Sequence, residues 1–179
     1  MKLLHAVLPA LLALAFSTGA NAQIKVGVTV SATGPAASLG IPEKNTFALL
    51  PKTIAGQTVE YIILDDATDP TTAVKNTRKL ISEDKVDLIV GSTVTPNSLA
   101  MLDVVAESET PMITMAGSAS VVEPMDAKRK WAFKAPQNDS LMATAITQHM
   151  VAHGIKRVAF IGFSDAYGEG WYKEFAKAA

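Results

Sequence analysis

Residues 86–91 (VDLIVG) and 111–115 (PMITM) are short, almost unbroken apolar runs, and an apolar segment with helical spacing lies between them, from about 97 to 108. A strand without polar alternation is covered on both faces, and two such strands joined through a helix run parallel. The same alternation extends upstream. IKVGVTV (24–30) and TVEYIIL (58–64) read as strands, and DPTTAVKNTRKLISED reads as a helix. There Asp69 is the N-cap, Pro70 holds the first helical position, and Ala73, Val74, Thr77, Leu80 and Ile81 share one face. Alternating β and α segments with short links predict a doubly wound parallel sheet of the α/β class.

A second unit is expected after residue 134. Trp131 to Lys134 reads as an extended crossing segment broken by Ala135-Pro136. Asp139 or Ser140 then caps a helix carrying Leu141, Met142, Ala145, Ile146 and Met150, which Gly154 ends. KRVAFIGF (156–163) reads as another buried strand, and SDAYGEGWYKEFAKAA as a loop entering a helix. One strand and two helices are too little to bury a core of their own. The expected organisation is therefore a leader over 1–22, a first lobe over 23–134, and the incomplete start of a second lobe over 135–179.

The leader is read from Lys2, an apolar run from Leu3 to Phe16, and Ala20-Asn21-Ala22, which are the three parts of a cleavable export signal. The apolar run is too short for a membrane span, which needs about 20 residues. Export places the mature chain, beginning at Gln23, in the periplasm. The sequence has no cysteine, so neither a disulfide nor a lipid-modified cysteine is expected. A formal net charge of −1, with AKRK at 127–130 as the one basic run, argues against a nucleic-acid partner.

In a parallel α/β sheet, ligands bind beyond the carboxyl ends of the strands. SATGPAAS (31–38), STVTPNS (92–98) and AGSAS (116–120) each follow a strand, so three hydroxyl-rich loops open on one edge. The second runs into a helix N-terminus, where unpaired N–H groups and the positive dipole end attract an anion. Neutral donors of this kind suit a small carboxylate. Ser, Thr and Asn also serve as caps and turn residues, which is the structural alternative for each of them taken singly.

IKVGVTVSATGPAASLG, DDATDPTTAVKNTRKLI, DLIVGSTVTPNS, PMITMAGSAS and FSDAYGEGW occur in that order. Together they resemble the branched-chain amino acid (Leu/Ile/Val)-binding proteins of ABC importers, the two-lobed type I periplasmic binding proteins. The resemblance runs from Ile24 to the end of the chain. It implies that Thr95 binds a ligand carboxylate through its hydroxyl and N–H. It implies also that Ala116 offers a carbonyl to the ammonium group, that Ser118 offers a hydroxyl and N–H to the carboxylate, and that Tyr167 closes over the ligand from the second lobe. Leu39 stands where relatives often carry an aromatic residue, which bears on side-chain specificity. The acid that relatives use to pair the ammonium falls beyond residue 179, and IPEKNTFALLPKTIAGQ is about two turns shorter than in many relatives.

The resemblance implies a solute-binding protein that is monomeric when full length, with a small-molecule ligand and the membrane subunits of an ABC transporter as partners, and without a cofactor. Binding of an aromatic acid or amide is the alternative within the class, and the sensory domain of a receptor is the alternative outside it. His149 and His153 lie at i, i+4, but no third ligand with matching spacing completes a metal site. Asp65, Asp66 and Asp69 are read as strand-end and capping residues, the methionines at 112, 115 and 125 as core filler, and Trp171 and Tyr172 as packing residues. The chain carries no nucleophile elbow, phosphate loop or H-E-x-x-H motif, so an enzyme is not expected.

Overall fold

The computed structural model describes residues 23–179, and the leader expected over 1–22 lies outside them. The described strands are β1 (Ile24–Val30), β2 (Thr53–Ile54), β3 (Gln57–Asp65), β4 (Leu88–Val90), β5 (Met112–Thr114) and β6 (Ala132–Lys134). They form one sheet in the order β2-β3-β1-β4-β5-β6. All neighbours pair in parallel except β2, which pairs antiparallel to β3. The chain winds outward from β1 in both directions, to β3 on one side and to β4 on the other, so the loops after β1 and β4 diverge and leave a crevice at their carboxyl ends.

Both faces are covered, as the apolar runs required. Helices α2 (Pro70–Ser82) and α3 (Thr95–Glu107) pack on one face and on each other. Their core includes Ala73, Leu80, Ile89, Met101, Val105 and Met112. Helix α1 (Ala37–Thr46) and the short 3-10 turn Phe47–Leu49 belong to the other face, where Val26, Val28, Val30, Phe47 and Val59 cluster. Gly27 permits the close seating of α2, because a Cβ there would stand 3.1 Å from Leu80 Cβ. Asp69 caps α2 as expected, accepting from the Thr72 N–H at 2.7 Å with Pro70 in the first turn. The expected crossing segment is β6, which adds to the sheet edge beside β5.

Beyond β6, α4 (Asp139–Ala152) and α5 (Ala166–Ala178) pack against each other, and α5 also touches α3. The strand expected over 156–163 does not form. Residues 155–163 carry no ladder, and Ile161 is 98% exposed. A strand exists only through its neighbours, and among the described residues none lies beside this segment. Two further readings need correction. Met125 is 70% exposed and fills no core gap, whereas Met112 is buried. Tyr172 is exposed on α5, edge-on to Phe160, rather than packed in a core.

Candidate functional site

A cleft of about 570 Å³ opens at the carboxyl ends of β1, β4 and β5 and extends between the sheet and the α4–α5 pair. The strand ends behind it are braced by a buried carboxylate that is not itself in the lining. Asp66, fully buried, accepts from Ser31 Oγ (2.7 Å), Ser92 Oγ (2.6 Å), Thr29 Oγ1 (3.3 Å) and the Thr68 N–H (3.0 Å). It therefore ties the ends of β1, β3 and β4 together. A second knot joins β4, α3 and β5. Ser98 Oγ lies 2.7 Å from Thr114 Oγ1 and accepts from the Ser92 N–H, while the Ala116 N–H donates to Thr114 Oγ1. Thr93 accepts from the Ser31 N–H and donates to Glu43 on α1 at 2.5 Å. Most hydroxyls at these strand ends thus hold the floor together.

Thr95 is the exception. It opens α3, is almost wholly buried, and among the described residues its Oγ1 has no protein partner; neither polar atom of the buried Asn97 side chain, two residues on, has one either. The α3 N-cap, Val94, supplies no side-chain acceptor, so the first-turn N–H groups of Thr95 and Asn97 lack a capping partner as well. Pro96, between them, has no N–H to satisfy. These two residues bring neutral donors to one wall of the cleft at the positive end of a 13-residue helix.

The opposite wall comes from the region after β6. Asp139, Met142, Phe163, Tyr167 and Trp171 line it. Trp171 Nε1 donates to Tyr167 Oη at 3.0 Å, which leaves the phenol its own O–H to give, and burial pushes that phenol up. Burial likewise pushes the Glu43 and Asp139 carboxyls up. The Thr93 hydrogen bond opposes the shift at Glu43, and the Lys134 ammonium opposes it at Asp139.

Of the residues singled out from the sequence, Leu39, Thr95 and Tyr167 line the cleft, and Leu39 is 57% exposed at its mouth. Ala116 and Ser118 are not in the lining. Gly117 between them is, and the Ser118 hydroxyl pairs with Ser120. Asn97, Glu43, Asp139 and Trp171 are wall residues that the sequence reading gave no site role. The sequence offers Asp139 or Ser140 as the cap of α4, but the N-cap is Asn138 and Asp139 stands one position inside the helix; Trp171 reads as packing because its helix position says nothing of what faces it.

Three knotted strand ends, a helix N-terminus with unpartnered donors and a facing helical wall fit an α/β ligand-binding receptor fold with helices on both faces of its sheet. The periplasmic binding protein family model matches residues 23–179, and the chain belongs to that family. It is 28% identical over 179 residues to the Leu/Ile/Val-binding protein BraC3 of Rhizobium johnstonii, covering 95% of this chain and 47% of that protein. An extracellular ligand-binding receptor from Rhodopseudomonas palustris HaA2 superposes with a TM-score of 0.85 at 54% identity, over 88% of this chain and 44% of that one. A solute-binding protein of an ABC transporter from R. palustris BisB5, solved with 3,4-dihydroxybenzoic acid, gives a TM-score of 0.78 at 28% identity, over 87% and 44%. The chain therefore spans about half the length of the relatives it matches.

Proposed function

We propose that the chain is the first lobe and the opening of the second lobe of a periplasmic solute-binding protein serving an ABC importer, with the boundary at residues 134/135, and that it binds its solute without transforming it. The ligand carboxylate sits at the start of α3 on Thr95 Oγ1 and the first-turn N–H groups, with Leu39 and Tyr167 closing the sides. The observation that carries this reading is the buried, unpartnered Thr95 hydroxyl beside the equally unpartnered Asn97 amide. Burying such groups without a partner is costly, and a ligand oxyanion removes that cost for the donors among them, the Thr95 O–H and the Asn97 amide N–H. An amino acid is the first candidate because BraC3 is a Leu/Ile/Val-binding protein. The second is an aromatic acid, favoured by the Phe163, Tyr167 and Trp171 wall and by the BisB5 relative solved with 3,4-dihydroxybenzoic acid.

Titration calorimetry of the full-length protein tests the anion site. Thr95→Val is expected to weaken binding by about 1.5–3 kcal/mol, roughly ten- to a hundredfold. Ser118→Ala is expected to cost less, because that hydroxyl is already engaged with Ser120. An unchanged affinity in Thr95→Val removes the carboxylate from α3.

A further inference from the structure

Lys134 ends β6, just before the proposed lobe boundary, and among the described residues its ammonium forms no ion pair. It donates instead to two backbone carbonyls, those of Gly117 (2.7 Å) and Gln137 (2.8 Å). Burial pushes the ammonium pKa down, and the charges of Asp139 and Glu123 oppose that through space. Gly117 and Gln137 both line the cleft, whereas Lys134 does not. A charged donor holds a carbonyl about twice as strongly as a neutral one, so these bonds fix where two cleft-side peptides point.

The peptide joining Gly117 to Ser118 is trans, and its C=O and N–H therefore point in opposite directions. With the carbonyl held on the Lys134 side, the Ser118 N–H is turned to the other. That N–H has no acceptor among the described residues. The Ser118 hydroxyl is engaged within its own loop. It pairs with Ser120 Oγ (2.9 Å) and accepts from the Ser120 N–H (3.3 Å), capping the 3-10 turn Ala119–Val121. The peptide lies where the two walls come close, since a Cβ on Gly117 would stand 3.3 Å from Asp139 Oδ1 and 3.5 Å from Tyr167 Cε2.

Resting on the carboxylate reading above, we propose that Lys134 is a positioning residue for binding: by holding the Gly117 carbonyl, it aims the Ser118 N–H into the cleft at the ligand carboxylate. Lys134 itself touches no ligand. Its second bond ties the same peptide to the linker between β6 and α4, so the donor is set before a solute arrives and costs no ordering on binding. Released from Lys134, the peptide can turn and present its carbonyl, which repels an anion.

Calorimetry on the full-length protein, with L-leucine and 4-hydroxybenzoate as probes, tests this through two substitutions. Lys134→Met removes both hydrogen bonds and is expected to weaken whichever probe binds by about tenfold. Ser118→Pro removes the N–H at a residue whose φ of −68° is one that proline adopts, and is expected to cost at least as much. In the Ser118→Pro background, Lys134→Met is expected to change affinity by less than about twofold, because the donor it positions is gone. A loss that persists in full there means that the ammonium acts by charge alone, and overturns the proposal. Unchanged affinity in either single variant overturns it too and leaves the receptor reading standing. A further measurement needs no variant to fold: in the unaltered protein, the Ser118 amide proton resonance is expected to move downfield when the probe binds, and an unmoved resonance overturns the proposal. If the unaltered protein binds neither acid, the carboxylate reading fails and this proposal with it.

Discussion

Glu43 and Asp66 are neighbouring carboxylates with opposite situations. Asp66 receives four hydrogen bonds and is part of the structure's frame, whereas Glu43 has one, from Thr93, and faces the cleft. Burial raises the Glu43 pKa above its ordinary 4.5, and the charge of Asp66 adds to the shift. A carboxyl whose folded pKa is raised destabilises the fold while it is ionised. That cost is fully present above the raised value, shrinks as pH falls through it, and is gone below 4.5, where the unfolded chain is protonated too. Glu43→Gln, which keeps an acceptor for Thr93, is therefore expected to raise the urea midpoint at pH 7, with the gain closing as pH is lowered toward 4. A variant less stable than the parent at pH 7 would mean that the ionised Thr93 bond outweighs the burial.

Among the elements, α1 is seated tightly on the end of β1. A Cβ on Gly40 would lie 2.1 Å from the Ser31 carbonyl oxygen, so backbone meets backbone where the helix crosses the end of β1. Gly40→Ala is expected to cost about 1–3 kcal/mol of stability in urea titration, as overpacking commonly does; a neutral substitution would show that α1 can slide. The elements also mark what the sequence could say. β1 and the region of α2 were legible almost to the residue, because Val26, Val28 and Val30 alternate onto one face and Asp69-Pro70 fixes a helix start. Residues 156–163 carry the same apolar signature as 86–91 and form no strand, since a pattern records the cover a segment needs and not whether a neighbour lies beside it. For the site, the hydroxyl-rich loop 92–98 running into a helix N-terminus was legible, while Thr95 itself was singled out only through the resemblance. Asp139 was not legible, because a carboxylate in a first turn looks the same in sequence whether it turns to its own backbone or to a cleft.

At the scale of the molecule, the chain has a knotted sheet body and a thin layer after it. Helix α4 buries only Asp139, Ala143 and Thr147, and leaves Leu141, Met142 and Val151 exposed. With Phe163 and Ile161 also uncovered, the layer has few contacts to resist opening. Hydrogen exchange of the 179-residue chain is expected to show lasting protection in β1, β3, β4 and α3 and rapid exchange from about 139 onward, with amino acid binding no tighter than millimolar. Protection of α4 equal to that of α3 would show that the layer is held by the body alone. The two walls of the cleft thus differ in when they are ready. Asp66 has fixed the floor, and α3 its donors, before any solute arrives, so the first encounter is with a finished surface and its rate follows diffusion and charge. On the proposed function, Tyr167 and Asp139 belong to the thinly packed layer, so they govern how long a captured solute stays. Substitutions on this side should therefore change residence time while leaving the capture rate nearly untouched.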